Sequence, residues 1–210
     1  MQVSIFVFNG FTALDAIGPY EALQRLPEVQ VSFCALEPGQ IDTVDGAVKL
    51  VVDRSIFDIA NPDIIIFAGG SGKEIARLLQ NIRLLDRIRE LSDATTYTTS
   101  VCTGAFFVAA AGLLNAQFVS THWRAKGALA KFGAKYSTQR VTRSGKFLSS
   151  SGVSAGIELG LVLCGLIAGD DVAAAVELSM EYSPVAPFGG LQHDQASDET
   201  RRLVVERLRQ

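Results

Sequence analysis

Cys102 is the residue whose surroundings in the sequence best suit chemistry. It follows a β-prone run at residues 95–101 and precedes a helical run at residues 105–114. Small residues, Ser100 and Gly104, lie two positions before and after it, as a sharp strand-to-helix turn requires. The spacing parallels the G-x-S-x-G elbow, which holds a nucleophile at such a turn. The pattern therefore predicts that a strand delivers a thiol to the start of a helix.

The predicted turn also suggests the state of the thiol. Unpaired backbone N–H groups and the macrodipole at the amino end of a helix favour anions, and they lower a thiol pKa below its usual value near ~8.5. We therefore expect a thiolate at Cys102. The alternative is a buried structural cysteine, since free cysteine is among the most buried residue types. Cys34 and Cys164 suit that alternative, because each lies in an apolar run without turn chemistry beside it.

Composition and charge exclude several classes of function. The chain has 210 residues, a formal net charge of −3 and three widely spaced cysteines. This charge gives no field that would attract nucleic acid or an anionic membrane, so a small neutral or polar substrate is favoured. Three distant cysteines do not make a disulfide framework, and we expect a reducing, cytoplasmic setting. The apolar start is typical of a buried strand rather than a signal peptide, and no apolar run is long enough to span a bilayer.

The elements that must position Cys102 follow an alternating pattern. The strand-like runs are residues 3–8, 29–36, 64–67 and 95–99. The helical patterns are residues 12–26, 73–91 and 103–114. This alternation predicts a parallel sheet with helices on both faces. Asp45-Gly46 predicts a hairpin over residues 40–52, added at the edge of the main sheet.

The second half of the chain predicts shorter elements. The expected short strands are residues 118–121, 135–136, 140–142 and 147–150, around a helix near 124–132. Residues 155–168 and 170–181 predict two helices divided by Gly169, with Asp170 as N-cap of the second. One polar helix is expected at residues 197–209. The composition shows no linker-like shift, so a single domain over residues 1–210 is expected.

Two further turns are predicted beyond the carboxyl ends of strands, where open α/β sheets bind ligands. Gly69 and Gly70 follow the apolar run 64–67, and without side chains their backbone N–H groups can approach a ligand or a developing anion. The alternative is a plain turn. Asp15 follows the first strand and is the only acid within a dozen mostly apolar residues. Partial burial would raise its pKa enough for proton transfer, whereas the alternative is an ordinary N-cap carboxylate.

Histidine is scarce in this sequence. His122 follows a short predicted strand, where it either orients a site or caps the next helix. His193 lies in a polar loop, and we expect it to be solvated. Without a further histidine or a close cysteine pair, the sequence gives no support for a zinc or haem site.

Six ordered motifs resemble the ThiJ/PfpI superfamily over nearly the whole chain, and its isonitrile hydratase branch most closely. They are Leu14-Asp15-Ala16-Ile17-Gly18-Pro19, Gly69-Gly70-Ser71-Gly72, Ser100-Val101-Cys102-Thr103-Gly104, Ala111-Gly112-Leu113-Leu114, Thr121-His122-Trp123 and Ser154-Ala155-Gly156-Ile157. The resemblance implies an α/β fold, a flavodoxin-like three-layer sandwich related to class I glutamine amidotransferases. It also implies a homodimer and a cofactor-free site.

The same resemblance assigns roles to individual residues. Cys102 would be the nucleophile and Asp15 its acid/base partner, with Thr103 assisting from the next position. The backbone N–H groups of Thr103 and Gly70 would help to bind the substrate or an anionic intermediate, and Gly69 would belong to the same substrate-binding turn. Val153 would flank the pocket, since the family places its turn near the cysteine. The activity implied is hydration of an isonitrile to an N-substituted formamide.

At several positions this chain differs from other branches of the superfamily, and these differences weigh against the activities of those branches. PfpI-type peptidases carry histidine directly after the cysteine, whereas this chain has Thr103. Branches that act on glyoxals generally carry glutamate where this chain has Asp15. Sensor domains of AraC-type regulators share two of the motifs, but they continue into a helix-turn-helix domain, and this chain is expected to stop after one polar helix. Glyoxalase or deglycase chemistry and a non-catalytic thiol sensor remain the alternative functions.

Overall fold

A computed structural model describes residues 1–190 and 193–206 of the chain. The strands are β1 (Gln2–Phe6), β2 (Gln30–Cys34), β3 (Gly39–Asp42), β4 (Lys49–Val52), β5 (Ile64–Phe67), β6 (Tyr97–Val101), β7 (Phe118–Val119), β8 (Lys135–Tyr136), β9 (Val141–Ser144) and β10 (Phe147–Ser150). The α-helices are α1 (Ala13–Leu23), α2 (Gly72–Leu78), α3 (Ile82–Ala94), α4 (Ala105–Ala110), α5 (Lys126–Leu129), α6 (Ala155–Ala168), α7 (Asp170–Ser179) and α8 (Asp198–Glu206). Short 3₁₀ turns cover Cys102–Gly104, Trp123–Ala125 and Ala130–Phe132.

The central sheet has the strand order β2-β1-β5-β6-β10-β9. Its first five strands pair in parallel, and β9 runs antiparallel to β10. The mostly parallel sheet predicted from the alternating pattern is thus confirmed. From β1 the chain passes to β2 on one side, and it later returns to form β5 on the other side of β1. The carboxyl ends of β1, β5 and β6 therefore lie beside a topological switch point, where open α/β sheets place their ligands.

Apolar side chains explain why β5 forms the middle of the sheet. All four of its residues are completely buried, and an uninterrupted apolar strand is typical of a sheet covered on both faces. Phe67 packs beside Phe6 and Phe107, with ring centroids 5.4 to 6.0 Å apart. These rings connect the sheet to α4 and fix the start of the helix that follows Cys102.

Small residues bring α1 and α6 close together over one end of the sheet. A Cβ added to Gly18 would lie 3.1 Å from the backbone nitrogen of Ile157. A Cβ added to Gly160 would lie 2.9 Å from the Cα of Pro19. Larger residues would separate the two helices, so these glycines set the depth at which the first turn of α1 is buried.

Several elements differ from the prediction. The hairpin of β3 and β4 is a separate two-stranded sheet, because Thr43 bridges to Phe11 in the loop after β1 rather than to an edge strand. The single helix expected over residues 73–91 is two helices, since the Asn81 side chain accepts the N–H of Leu84 and begins α3. The N-cap of α7 is Gly169, not Asp170. The predicted tail helix is present as α8, and the end of the predicted range lies outside the described residues.

Candidate active site

Cys102 lies at the sharp turn between β6 and α4, in a left-handed backbone conformation with φ of 57°. The strained turn is held from both sides. The Cys102 N–H donates to the carbonyl oxygen of Ser151 at 3.0 Å, and its carbonyl accepts the Thr121 hydroxyl at 2.8 Å. A Cβ on Gly104 would lie 2.0 Å from the Phe67 oxygen, so this position requires glycine. Non-glycine residues with positive φ are uncommon, and they concentrate at functional sites.

Asp15 is completely buried in the first turn of α1. Its Oδ2 accepts the N–H of Gly69 at 3.0 Å, so it is not the helix cap that the alternative interpretation offered. Its Oδ1 is also buried and has no hydrogen-bond partner among the described residues. Removal from water raises the pKa of Asp15 to about 7, although hydrogen bonds from Gly69 and the Cys102 side chain lower it. A carboxyl group with that pKa both gives and takes protons at neutral pH.

Cys102 is a protonated thiol at neutral pH, not the expected thiolate. Burial raises the pKa of its thiol to about 12, and the negative charge of Asp15 raises it further. Hydrogen bonds from Val153 and Thr103 lower the pKa but do not outweigh these effects. The helical argument was wrong for a physical reason. The α-helix after the turn is only six residues long, so its dipole is weak, while Cys102 is buried and close enough to Asp15 to be affected by its charge.

Two backbone N–H groups hydrogen-bond to the sulfur and stabilise its anionic form. One belongs to Thr103, whose side chain also interacts with the sulfur, and the other to Val153. Val153 has φ of 28°, a strained conformation for a β-branched residue. The structure thus pairs Thr103 with Val153 at this position, whereas the resemblance implied Thr103 with Gly70.

Gly69 and Gly70 use their N–H groups within the protein. The N–H of Gly69 binds Asp15, and that of Gly70 donates to the Thr103 hydroxyl at 3.0 Å. A Cβ at Gly69 would lie 2.7 Å from Asp15 Oδ2 and equally close to the Thr103 backbone nitrogen. A Cβ at Gly70 would meet the Gly10 oxygen at 2.2 Å. The glycine turn therefore brings Asp15 and Thr103 together, and neither amide is directed at open space.

Both histidines lie beside this centre rather than in it. His122 Nδ1 accepts the N–H of Arg124 at 3.4 Å, which is the capping role considered from the sequence. Burial, together with the charge of Arg124, lowers the pKa of His122. The solvated state expected for His193 is wrong: this residue is half-buried and lies parallel to the Trp123 ring, with centroids 5.8 Å apart. Its polar neighbours in sequence gave no sign of this contact.

A cavity of about 400 Å³ opens next to the cysteine. Its lining residues are Thr121, His122, Trp123, Tyr136, Thr138, Arg140, Ser151, Gly152, Val153, Ser154, Gly190 and His193. Cys102 itself is 6% exposed, and its N–H donates to Ser151, which lines the cavity. Val153 belongs both to the cavity wall and to the hydrogen bonds around the sulfur. The resemblance implied that Val153 flanks the substrate pocket, and neither it nor the sequence gave a signal for Tyr136.

Within residues 1–190 and 193–206, no group of three or more His, Cys, Asp or Glu side chains is arranged to hold a metal ion. Among those residues there is also no helix with the length and apolar character needed to cross a membrane. All three cysteines are free and buried.

A parallel sheet with a strained cysteine after β6 and a buried acid after β1 defines a class of protein. The chain belongs to the DJ-1/PfpI family, whose model matches residues 1–165. It is 33% identical over 213 residues to the isonitrile hydratase of Pseudomonas putida. That match covers 100% of this chain and 92% of the relative. The family resemblance found in the sequence is thereby confirmed.

Solved structures show the same architecture. A ThiJ/PfpI family protein from Pseudomonas syringae is similar with a TM-score of 0.90 and 26% identity, covering 98% of this chain and 86% of that protein. DJ-1 of Schizosaccharomyces pombe has a TM-score of 0.75 and 22% identity, covering 88% of this chain and 100% of that protein. The second likeness concerns the fold alone. These comparisons confirm the predicted flavodoxin-like α/β fold.

Proposed function

We propose that this protein hydrates an isonitrile, R–N≡C, to an N-substituted formamide, with Cys102 as nucleophile and Asp15 as acid and base. The observation that carries the proposal is the contact between a buried thiol and a buried carboxyl group whose pKa is about 7. Full-length similarity to a protein named isonitrile hydratase supports the choice of substrate. The reaction adds water without a change in redox state, so it requires no redox cofactor.

The first step joins the sulfur to the terminal carbon of the isonitrile. With a pKa of about 12, only roughly one thiol in 10⁵ is ionised at pH 7, so the nucleophile needs a base at the moment of attack. Asp15 takes the thiol proton and delivers it to the isonitrile carbon. The S–H bond breaks, S–C and C–H bonds form, and the product is the thioimidate R–N=CH–S–Cys102. The carboxylate is then free again for the second step.

The second step releases the product by hydrolysis. Asp15 accepts a proton from water while the water oxygen attacks the thioimidate carbon. That proton then passes from Asp15 to the thioimidate nitrogen. The C–S bond then breaks, and the sulfur leaves as an anion that the N–H groups of Thr103 and Val153 stabilise. The remaining hydroxyl proton returns to the sulfur, through Asp15, and the formamide R–NH–CHO departs. One water molecule is consumed, and the thiol is restored.

The neighbouring residues act as positioning residues in this scheme. Gly69 holds one oxygen of Asp15, which leaves Oδ1 for proton transfer. Gly70 holds the Thr103 hydroxyl, and Thr121 and Ser151 hold the backbone of Cys102. Nearly every polar group of the turn is thus fixed before substrate binds. Such preorganisation is worth several kcal/mol in proton-transfer and addition reactions.

Formation of formamide from phenyl isonitrile, followed by absorbance and verified by chromatography, tests this function. We expect turnover by the wild type and a loss of about a thousand-fold or more in Cys102→Ala. Cys164→Ala is the matched control and should keep activity, because it removes a buried thiol that contacts Ala22 in the last turn of α1 rather than Asp15 in the first. Full activity of Cys102→Ala would refute the assignment. Consumption of methylglyoxal without formamide production would instead support the glyoxalase alternative.

The proposal extends to assembly and compartment. Three free, buried cysteines are compatible with the cytoplasm, and the family resemblance implies a homodimer. Size-exclusion chromatography with light scattering should give about twice the mass of 22.5 kDa for one chain. A mass equal to one chain across the working concentration range would contradict the dimer.

A further inference from the structure

The cavity beside Cys102 has a continuous wall of flat rings. Trp123 is near both histidines: its ring centroid is 5.8 Å from His122, with 29° between the planes, and 5.8 Å from His193, with 7° between them. Tyr136 approaches His193 edge-on at 6.2 Å. The loop before α8 supplies His193, so residues distant in the sequence complete the wall. Four aromatic side chains therefore border the cavity and can contact a planar group.

Two other lining residues connect the cavity to Cys102. Val153 lines the cavity and also donates its N–H to Cys102. On the other side, Thr121 lines the cavity and bonds to the Cys102 carbonyl. A small group that reaches the sulfur past Val153 therefore places the rest of its molecule in the cavity.

The arginine in the cavity lining is already paired with an acid. Arg140 is the guanidinium in the lining, and both oxygens of Glu158 accept its Nε at 2.7 Å. Its Nη2 also donates to the Ser154 hydroxyl at 3.1 Å. Because this cation is already neutralised, a carboxylate on the ligand would find little net attraction there. Lys126 also reaches the lining, with its Nζ 3.2 Å from His193 Nε2, so contacts with the aromatic rings, rather than the charge of the lining, favour a planar group.

We propose that this cavity binds the R group of the substrate and selects planar aromatic substituents over saturated rings of similar size. The inference rests on the proposed function for the identity of the reacting group. The cavity volume, about 400 Å³, lies in the range of small-molecule sites and accommodates one or two fused rings. Aromatic stacking in proteins is worth roughly 2- to 12-fold in affinity beyond buried area.

Comparison of phenyl and cyclohexyl isonitrile tests the selection. We expect the wild type to prefer the phenyl compound in kcat/KM by roughly 2- to 12-fold. Trp123→Leu should abolish this preference, and Trp123→Phe should keep most of it. Phe118→Leu is the matched control, because Phe118 is an exposed ring outside the cavity lining, and it should leave the ratio unchanged. An unchanged ratio in Trp123→Leu, or no preference in the wild type, would overturn the proposal.

A binding measurement separates this inference from the proposed reaction. Trp123 is the single tryptophan of the chain, so intrinsic fluorescence reports on the cavity wall. Titration of the wild type with N-phenylformamide should give saturable quenching at lower concentration than N-cyclohexylformamide. If no isonitrile is hydrated but this difference is found, the reaction is wrong and the aromatic subsite stands. Equal titrations with the two formamides would overturn the subsite even if turnover is observed.

Discussion

Asp15→Asn should make the protein more stable than the wild type as the pH rises, although it removes the proposed acid and base. Burial raises the pKa of Asp15 from its ordinary value of 3.8 to about 7. Between these values the folded state keeps a proton that the unfolded chain has released, so the stability of the wild type falls as pH increases. One pKa unit corresponds to about 1.4 kcal/mol, so the full cost above pH 7 is about 4 kcal/mol. Asparagine cannot ionise and avoids this cost.

Urea unfolding of both proteins from about pH 4 to about pH 8 measures the effect. The free energy of unfolding of Asp15→Asn minus that of the wild type should increase by about 4 kcal/mol over this range. The new amide also buries a donor near the former Oδ1, which lowers the free energy of unfolding of Asp15→Asn by about 1–3 kcal/mol at every pH. The test is therefore the change of the difference with pH, not its value at one pH. Asp93→Asn, at an exposed position, controls for the loss of one negative charge. A difference that does not change with pH would refute a buried carboxyl group with a raised pKa.

Three other predictions follow from the same geometry. The kcat/KM for isonitrile hydration should rise tenfold per pH unit below about 7 and level off above it, because Asp15 must be ionised while Cys102 is still a thiol; a profile flat from pH 5 to pH 8 would contradict the mechanism. In Asp15→Asn, alkylation of Cys102 by iodoacetamide, measured by peptide mass spectrometry, should begin at lower pH than in the wild type, since the Asp15 charge raises the thiol pKa; an identical onset would show that this charge does not act on the sulfur. Gly69→Ala should lower stability by about 1–3 kcal/mol and activity by at least about tenfold, because its Cβ would lie 2.7 Å from Asp15 Oδ2, whereas Gly72→Ala meets nothing within 4 Å and should keep both on urea unfolding and turnover.

Elements with strong local patterns could be predicted from the sequence. The apolar run of β5 was found with its observed limits, because a strand buried on both faces needs apolar residues throughout. Helix α6 also matches, since Gly169, with φ of 91°, ends it where the sequence placed a breaker. The hairpin of β3 and β4 was also predicted, but its predicted position at the edge of the main sheet was wrong. Its turn is local, whereas its attachment depends on Phe11 in another loop.

In the candidate site, too, some features follow from neighbouring residues in the sequence and others depend on contacts between distant segments. The position of Cys102 at a sharp turn follows from Ser100 and Gly104, since only small residues allow the strand and helix to approach there. The pKa of its thiol could not be predicted from those neighbours. Burial and the Asp15 charge determine that pKa, and α1 brings Asp15 to the sulfur from a distant part of the sequence. The position of His193 against Trp123 likewise depends on how the loop before α8 folds back.

The sequence by itself determined the alternation of strands and helices, the turn that carries Cys102 and the family resemblance. These features depend on residues that are neighbours along the chain, where periodicity, glycine and small side chains act directly. Only the tertiary structure decided the protonation of the thiol, the internal use of the Gly69 and Gly70 amides and the aromatic wall of the cavity. Those properties depend on desolvation and on contacts between distant segments, which exist only after the helices have packed on the sheet.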